Sequence, residues 1–330
     1  MKAVVVRIPG GPGALEVAEV PTPEPGRGQA RVRAMAIGVG RPDVLIRQGT
    51  YKWMPPLPAI PGNEVAGVVD AVGPGVDTAL IGDRVLLSAR ELAQRGGGYA
   101  EYTCAPADSL YRLPPSISFD DAVSLPNFQL AQALLFGCGS AAPVQSVLLT
   151  AAAGGVASAA VQTARARGWK VIATASTEDK RRFVLEQGAD AALDPADPDL
   201  VNRVKALTGG RGVDLALDPV GAALFLRCLH ALAPLGLAVS YNVMGGLPSS
   251  DVFVELRHLL GRSLAVRAFS MHSFDADPAR RRGLMQAAID LMADGTTRAP
   301  PTTALRLADA RRAHELLDDS AFMGKLVLHP

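Results

Sequence analysis

The stretch Val147–Ala157 constrains the fold more than any other part of this sequence. It reads VLLTAAAGGVA, an apolar run that breaks at two glycines and opens an alanine-rich segment. Aligned on the dinucleotide pattern G-x-G-x-x-G/A, it supplies Ala152 for the tight turn, Gly154 for close approach of a pyrophosphate, and Ala157 for close helix packing. The stretch therefore predicts a strand, a phosphate-binding turn and a helix whose N-terminus attracts phosphate.

The chain of 330 residues is too long for one ordinary hydrophobic core, so two domains are expected. Residues 1–120 read as short strands separated by Gly and Pro, which predicts a small barrel. Beyond residue 120, strands and helices alternate. The predicted strands are 146–151, 170–175, 190–193, 213–218, 235–241 and 264–268, with helices at 154–167, 178–187, 198–207 and 220–233.

This alternation predicts a parallel, doubly wound sheet, with Ser118 capping a helix start and Gly168, Gly188 and Gly209 at helix ends. Two further helices, 278–293 and 308–318, and a last strand, 325–328, are expected to return to the first domain. The predicted division is therefore 1–124 together with 271–330, and 125–270.

Composition limits the classes of partner. The 33 basic and 32 acidic residues give a net charge of +1, which gives no reason to expect binding to nucleic acid or an acidic membrane surface. No apolar run reaches transmembrane length, and no apolar segment follows a basic start. The three cysteines, Cys104, Cys138 and Cys228, are sparse and odd in number, which favours buried thiols in a cytoplasmic protein.

The second predicted strand of the doubly wound sheet bears on the choice of nicotinamide coenzyme. NAD-binding folds place Asp or Glu at its end for the ribose 2′-hydroxyl, whereas this chain has Ala175, Ser176 and Thr177. Lys180 and Arg181 follow, with Arg182 next. A missing carboxylate beside cations favours the 2′-phosphate of NADP(H). The alternative is that these cations only solvate a helix face.

The sequence resembles the medium-chain dehydrogenase/reductase superfamily, and within it the zinc-free quinone oxidoreductase (zeta-crystallin-like) branch. The resemblance covers essentially the whole chain, and it implies a β-rich GroES-like catalytic domain followed by a Rossmann domain. The segments that carry it are Ile37–Asp43, Arg47–Tyr51, Pro61–Val69, Gly82–Val85, Ala152–Val156, Asp218–Gly221 and Gly324–Leu328.

Zinc divides this superfamily. Zinc alcohol dehydrogenases have a Cys near position 40 and a His before Glu64, where this chain has Gly40 or Arg41, and Asn63. Neither pair supplies the nitrogen or sulfur ligands that a catalytic zinc needs. The resemblance therefore implies a metal-free enzyme that delivers hydride from NADPH to a quinone or an α,β-unsaturated carbonyl, and a homodimer. Two alternatives stay open: a 2-enoyl thioester reductase, and a non-catalytic NADPH-binding protein that senses or scaffolds.

The resemblance also implies roles for individual residues. Tyr51 stands at a family aromatic position near the nicotinamide and is expected to donate a hydrogen bond or proton to the developing oxyanion; the alternative is that it packs on Trp53. Asp43 and Arg47 match a family Asp and Arg and are expected to form a structural pair; the alternative is a catalytic role. The expected cofactor contacts are Asn127, Ala153, Gly154, Gly155, Val156, Ser176, Lys180, Tyr241, Asn242, Phe269, Ser270, Met271 and Lys325. For Phe269–Met271, ordinary core packing is the alternative.

Three positions depart from the family pattern. The family often has Asn at Gly40, Thr at Ala131 and Tyr at Pro195. The changes at Ala131 and Pro195 are expected to weaken direct contacts to the ribose or the adenine ring, and Gly40 removes a polar group from the substrate pocket. Arg41, beside Gly40, is expected to reach the pocket instead. A subgroup with its own substrate follows from these departures.

Overall fold

The structure is a computed structural model that describes residues 1–139, 143–319 and 321–330. Two compact units make up the chain. The first contains Met1–Pro126 and Ala299–Pro330, and the second contains Asn127–Arg298. None of the helices in the described part of the chain combines the length and apolar composition that a bilayer crossing requires.

The strands and helices are numbered in chain order. The strands are β1 Lys2–Val6, β2 Leu15–Glu19, β3 Gln29–Val39, β4 Glu64–Val72, β5 Arg84–Ser88, β6 Tyr102–Pro106, β7 Tyr111–Arg112, β8 Ser146–Leu149, β9 Lys170–Thr174, β10 Ala191–Leu193, β11 Val213–Asp218, β12 Leu232–Ser240, β13 Ala265–Ala268, β14 Thr302–Arg306 and β15 Lys325–His329. The α-helices are α1 Arg41–Arg47, α2 Phe119–Ala122, α3 Leu125–Gln132, α4 Gly155–Ala166, α5 Glu178–Glu186, α6 Leu200–Leu207, α7 Ala222–Ala231, α8 Val252–His258, α9 Pro278–Ala293 and α10 Ala310–Asp318.

The first unit is built on a mostly antiparallel sheet. Its strand order is β14-β15-β3-β4-β5-β7, with β6 paired to β3, and β1 and β2 form a separate hairpin. In β3, Ala30, Val32 and Ala34 point into the core while Arg33 and Met35 are exposed, the alternation expected of a strand with one solvated face. The strand pairing among the described residues does not close the predicted small barrel, because β14 and β7 are the two edges of this sheet.

The second unit confirms the predicted parallel sheet. Its strand order is β10-β9-β8-β11-β12-β13, and every neighbouring pair is parallel. The chain therefore winds outwards in both directions from β8, as in a doubly wound fold. Leu148, Ile172 and Ala216 on the strands pack with Phe225 and Leu229 of α7 to fill one core.

Local signals placed most element boundaries correctly. Gly168 and Gly188 stand just beyond α4 and α5 with φ of +74° and +107°, the conformation that glycine adopts without steric cost at a helix end. The Ser118 hydroxyl accepts a hydrogen bond from the Asp121 N–H, as predicted for an N-cap. The sequence analysis missed the short strands β2, β7 and β14 and the short helices α1 and α8, which have little periodicity.

The return of the chain to the first unit differs from the predicted division. Residues 271–298 belong with the second unit, and the chain returns at Ala299. The reason is packing: Met271 and Phe274 form a small core with Ala133, on which Leu284 of α9 packs. The Gln129 side chain also donates a 3.0 Å hydrogen bond to the carbonyl of Arg281. These contacts tie α9 to α3 within one unit.

Gly67, in the centre of β4, lacks room for a side chain. A Cβ added there would overlap the carbonyl oxygen of Arg33 on the neighbouring strand β3. We expect Gly67→Ala to destabilise the protein by about 1–3 kcal/mol, because a paired central strand cannot move aside. The measurement is the thermal midpoint, with Gly13→Ala as control, because a Cβ at exposed Gly13 meets nothing within 4 Å. Equal midpoints for both variants would contradict this account.

Candidate nucleotide-binding site

Most of the predicted cofactor-binding residues lie in loops at one edge of the second unit's sheet. These loops follow the carboxyl ends of parallel strands, the edge at which open α/β sheets bind ligands. The turn after β8 contains Ala153 and Gly154, and Ser176 follows β9. Tyr241 and Asn242 follow β12, and Phe269–Met271 follow β13.

The turn between β8 and α4 is tight and strained at one residue. Ala151 has φ of +48°, in the left-handed region that a non-glycine residue rarely adopts. The Gly154 N–H donates to the Ala151 carbonyl at 3.0 Å, and the Ala152 N–H donates to the Thr174 carbonyl of β9 at 2.9 Å. These bonds hold the turn against the sheet and fix the point where α4 begins.

The N-terminus of α4 is open to an anion. The first-turn N–H groups of Gly155, Val156 and Ala157 have no acceptor within the helix, and the N-cap residue, Gly154, has no side chain to supply one. Gly154 is also exposed. An uncapped helix start with a positive dipole end fits a pyrophosphate.

Asn127 lies directly against this helix start. Its side-chain nitrogen lies 2.6 Å from where a Cβ on Gly155 would stand. The sequence pattern gives Gly154 as the residue that needs to lack a side chain. In the structure Gly155 has the stronger requirement, because the nearest atom to a Cβ on Gly154 is the Ala151 carbonyl oxygen at 3.3 Å. Asn127 and the glycines are therefore brought together within one unit.

Asp218 joins the loops after β8 and β11. One carboxylate oxygen accepts the Thr150 hydroxyl, and the other accepts the Gly221 N–H at 2.6 Å. Burial raises the pKa of the Asp218 carboxyl, and the hydrogen bonds from Thr150 and Gly221 oppose that rise. The sequence analysis quoted Asp218 within a family segment but gave it no role. Its position at the end of a buried strand was the available signal.

The loop after β12 packs on the loop after β11. The Tyr241 N–H donates to the Asp218 carbonyl at 3.0 Å, and the Gly245 N–H donates to the Val220 carbonyl at 2.7 Å. Burial raises the pKa of Tyr241, and the charge of Asp218 adds to the rise, so the phenol is protonated. Asn242 is exposed and its side-chain oxygen accepts the Val243 N–H at 2.8 Å.

The strand end that bears on coenzyme choice carries no carboxylate of its own. Ser176 is exposed directly beyond β9, and Lys180, half-buried, lies in the first turn of α5. Thr177 caps α5, because its hydroxyl accepts the Lys180 N–H at 3.3 Å. Arg182 pairs with Asp179, one helical turn away. Ser176 and Lys180 therefore follow the strand end at which a ribose is expected in this fold.

The segment Phe269–Met271 divides its side chains between core and surface. Met271 is buried, and the Phe269 ring lies 6.1 Å from the Phe274 ring. Ser270 is exposed, and its hydroxyl accepts the His272 N–H. The side chains of Phe269 and Met271 are thus engaged in packing, which leaves the backbone as the part able to meet a ligand.

Comparison with known proteins supports the same assignment along the whole chain. Residues 26–115 match the family model of the alcohol dehydrogenase GroES-like domain, and residues 155–294 match that of the zinc-binding dehydrogenases. The rat quinone oxidoreductase (Rattus norvegicus) is 30% identical over 99% of this chain and 97% of its own length. The quinone oxidoreductase of Salmonella typhimurium is 34% identical over 97% of both chains.

The chain belongs to the quinone oxidoreductase branch of the medium-chain dehydrogenase/reductase superfamily. It is therefore an oxidoreductase. Among solved structures, the quinone oxidoreductase of Escherichia coli complexed with NADPH has a TM-score of 0.86 at 32% identity, over 100% of both chains. The GroES-like and Rossmann-like architecture predicted from the sequence is confirmed by these matches.

The name of one matched family model implies a zinc ion, and the residues of this oxidoreductase do not fit one. Gly40 has no side chain, and the Asn63 amide donates to Asp43 at 2.6 Å. Across the described ranges, no three His, Cys, Asp or Glu side chains converge in a way that could hold a metal ion. Gly40 and Asn63 supply none of the thiolate or imidazole ligands that zinc prefers.

Tyr51 lies in the first unit of the oxidoreductase, in an aromatic and cationic cluster. Its ring packs edge-on to Trp53 at 5.6 Å, which the sequence analysis gave as the alternative to a catalytic role. The guanidinium of Arg95 lies 5.0 Å from the Trp53 ring. Burial lowers the pKa of the neighbouring Arg90 guanidinium, against the opposing charge of Glu64. The phenol is half-buried and therefore remains reachable.

Asp43 and Arg47 do not form the predicted pair. The Asp43 carboxylate accepts hydrogen bonds from the N–H groups of Gly40 and Gly62 and from the side-chain amide of Asn63. It therefore links the start of α1 to the residues that precede β4. Arg47 instead pairs with Asp318 at 3.0 Å. Asp43 and Arg47 both lie on α1, but the ion-pair partner of Arg47 comes from α10, which is distant in the sequence.

A buried polar chain continues from Arg47 in the first unit. A guanidinium nitrogen of Arg47 lies 3.3 Å from His314 Nδ1, and the Tyr99 hydroxyl lies 3.0 Å from His314 Nε2. Burial lowers the pKa of His314 to about 4, with the Arg47 charge adding to the effect. Burial also raises the pKa of Asp43 to about 6. Arg41, expected to reach the pocket, lies 3.5 Å from Asp318.

Lys325 is buried in the same unit and pairs with Glu64. Its ammonium group contacts the Glu64 carboxylate and lies 3.4 Å from the Val39 carbonyl. Gly38 makes room for this pair, because a Cβ there would overlap the Glu64 carboxylate. Both charges are thus used inside the unit, which holds the Lys325 side chain in one place.

His314 and Asp43 predict opposite pH dependences of stability. Between pH 6.5 and 4 the unfolded chain protonates His314 and the folded chain does not, so its contribution to stability is lost as pH falls. Between pH 6 and 3.8 the folded chain protonates Asp43 and the unfolded chain does not, so that contribution is gained as pH falls. Each effect is about 3 kcal/mol, and in the native protein they offset each other.

We therefore expect Asp43→Asn to show a steeper fall in unfolding free energy from pH 6.5 to 4 than the native protein. His314→Gln is expected to show a shallower fall or a rise over that range. The measurement is urea unfolding at several pH values, followed by the fluorescence of Trp53, which lies in the same unit, in a background where Trp169 of the other unit is replaced by Phe. Parallel curves for all three proteins would show that neither group titrates differently on folding.

Proposed function

We propose that this oxidoreductase uses NADPH to deliver hydride, without zinc, to a quinone or an α,β-unsaturated carbonyl. The observation that carries the proposal is the uncapped start of α4 after the strained turn at Ala151, with the Asn127 amide against Gly155. Such a helix start is a ready anion site at the ligand-binding edge of a doubly wound sheet.

The residues of the second unit fit the coenzyme as follows. The N–H groups of Gly155 and Val156, with the adjoining backbone of Ala153 and Gly154, would hold the pyrophosphate. Asn127, Tyr241, Asn242 and the backbone of Phe269, Ser270 and Met271 would meet the nicotinamide end. Ser176 and Lys180 would hold the 2′-phosphate, because a serine hydroxyl and a cation stand where an NAD site has a carboxylate.

The preference for NADPH over NADH has two supports. Ala175 and Ser176 follow β9 without a carboxylate, and Lys180 lies in the first turn of the next helix, α5. The similar E. coli quinone oxidoreductase was solved with NADPH bound. A mycobacterial neighbour, at 33% identity and a TM-score of 0.86, was also solved with NADPH.

The acceptor class follows from the chemistry available without a metal. When bound, the reduced nicotinamide supplies a hydride, and quinones and enones accept it because the resulting charge delocalises onto an oxygen. Tyr51 would then donate a hydrogen bond or proton to that oxygen from its half-buried phenol. Lys325, held by Glu64, would contact the nicotinamide ribose by its family position.

Independence from zinc rests on the ligand chemistry at two positions. Gly40 and Asn63 stand where zinc-dependent relatives have metal ligands, and the Asn63 amide is committed to Asp43. An alkoxide formed from a simple alcohol would lack a Lewis acid here, which disfavours alcohol oxidation. Quinone or enone reduction needs no metal ion, so it is compatible with a site that has Gly40 and Asn63 at these two positions.

Three unpaired cysteines support a reducing compartment, and we place the protein in the cytoplasm. Cys138 and Cys228 are buried, and Cys104 is half-buried. Burial raises the pKa of Cys138 to about 11, so that thiol is protonated and unreactive.

A turnover panel tests the proposed reaction. NADPH oxidation is followed at 340 nm with 1,4-benzoquinone, with a simple enone and with an enoyl-CoA, each with and without a zinc chelator. We expect turnover with the quinone or the enone, unchanged by the chelator, and NADPH used in preference to NADH. Turnover with the enoyl-CoA alone would replace the proposal with a thioester reductase. NADPH binding without turnover of any acceptor, or loss of activity on chelation, would contradict it.

We also propose that the protein is a homodimer paired through the edge strand β13. All four residues of β13 are exposed, and the strand pairs on one side with β12. Leu260 and Val266 are exposed apolar residues at or near this unpaired edge. Pairing with the same strand of a second copy would satisfy the edge and bury this apolar surface.

Val266→Lys is expected to convert the dimer to a monomer, because a charge on an edge strand opposes strand pairing. The measurement is molar mass by light scattering after size exclusion. Leu185→Lys is the matched control, since Leu185 is an exposed apolar residue on α5, away from this edge. A monomeric native protein, or a Val266→Lys variant that stays dimeric, would contradict the proposed interface.

A further inference from the structure

Arg181 lies at the strand end where coenzyme choice is made. Its Nη1 donates to the carbonyl oxygen of Ala175 at 3.0 Å, and Ala175 directly follows β9. The side chain is 27% exposed, so it is partly buried at this edge and remains accessible to solvent. Arg181 is therefore a fixed cation at the carboxyl end of β9, where a ribose 2′ group is expected in this fold.

Asp194 faces the same guanidinium from the neighbouring strand end. Its Oδ2 lies 3.5 Å from Arg181 Nη1, and its Oδ1 accepts the Ala196 N–H at 2.8 Å. Asp194 directly follows β10, and the Ala175 N–H donates to the carbonyl of Leu193 at 3.0 Å. The carboxylate is thus at ion-pair distance but without a direct hydrogen bond to the arginine.

The loop that carries Asp194 is itself held in place. Arg227 of α7 donates to the carbonyls of Pro195 at 2.8 Å and of Asp197 at 3.1 Å. The Asp197 carboxylate pairs with Arg203 of α6 at 2.6 Å. Because helices on the sheet anchor the loop, Asp194 stays close to Arg181.

We propose that Arg181 determines coenzyme specificity by exchanging Asp194 for the 2′-phosphate of NADPH. The inference rests on the proposed function and adds a residue to its site. The guanidinium offers several N–H donors in a planar fork that matches phosphate, so it binds the 2′-phosphate while keeping its bond to Ala175. Asp194 neutralises Arg181 when no coenzyme is bound and repels the phosphate when it arrives.

Arg182 provides a matched comparison on the same helix. It is the next residue of α5, but its side chain is 64% exposed and pairs with Asp179. It carries the same charge, yet it makes no bond to the carbonyls at the end of β9. An effect of net charge alone would be the same for both arginines, whereas a specific contact would belong to Arg181.

The test compares Arg181→Gln, Asp194→Asn and the control Arg182→Gln by titrating apoprotein with NADPH and with NADH and following coenzyme fluorescence. We expect Arg181→Gln to raise the dissociation constant of NADPH about tenfold or more and that of NADH less than about threefold. Asp194→Asn is expected to tighten NADPH severalfold and to leave NADH unchanged. Arg182→Gln is expected to change neither dissociation constant more than twofold at physiological ionic strength.

A second measurement keeps the inference falsifiable if Arg181→Gln disturbs the fold. Competition by adenosine 2′,5′-bisphosphate against adenosine 5′-monophosphate reports the 2′-phosphate directly, and Asp194→Asn leaves the bond from Arg181 to Ala175 intact. An unchanged preference between these two nucleotides in Asp194→Asn, or equal losses for NADPH and NADH in Arg181→Gln, would overturn the inference.

The same data separate the inference from the function on which it rests. A native protein that binds NADH as tightly as NADPH would overturn the proposed coenzyme as well. A native protein that prefers NADPH, and keeps that preference in Arg181→Gln, would overturn only the role of Arg181.

Discussion

The buried carboxylate of Asp218 is the interaction on which the candidate site depends. It accepts the Thr150 hydroxyl with one oxygen and the Gly221 N–H with the other, and so ties together the loops that follow β8 and β11. These are the two central strands of the sheet, from which the chain winds in opposite directions. A buried carboxylate is costly without partners, so both loops are fixed where those partners lie.

From this fixed point the edge is built outwards in both directions. On one side, the turn after β8 leads through the strained Ala151 to the uncapped helix α4, and then to the end of β9, where Arg181 lies. On the other side, the loop after β12 bonds to that after β11 and carries Tyr241 and Asn242. The candidate site is thus a set of loops whose geometry is fixed by backbone hydrogen bonds, and in the proposed function the side chains at their tips select the ligand.

The features that could be predicted from the sequence were those encoded by residues close together in the chain. The parallel strands, the turn at Gly154 and the cap at Ser118 follow from periodicity and local backbone chemistry, and they were predicted closely. The partner of Arg47 was predicted wrongly, because the actual partner, Asp318, is separated from Arg47 by 271 positions in the sequence. The requirement for Gly155 to lack a side chain was missed for the same reason, since it comes from the Asn127 amide.

The sequence by itself determined the doubly wound unit, the tight turn that follows β8 and the absence of a carboxylate at Ala175–Thr177, because each depends on residues close together in the chain. Only the tertiary structure decided which of three successive cations faces the strand end. Helix periodicity turns Arg182 towards Asp179, whereas the loop after β10 brings Asp194 to Arg181. That choice depends on how separate strand ends meet at one edge, which no local pattern of residues encodes.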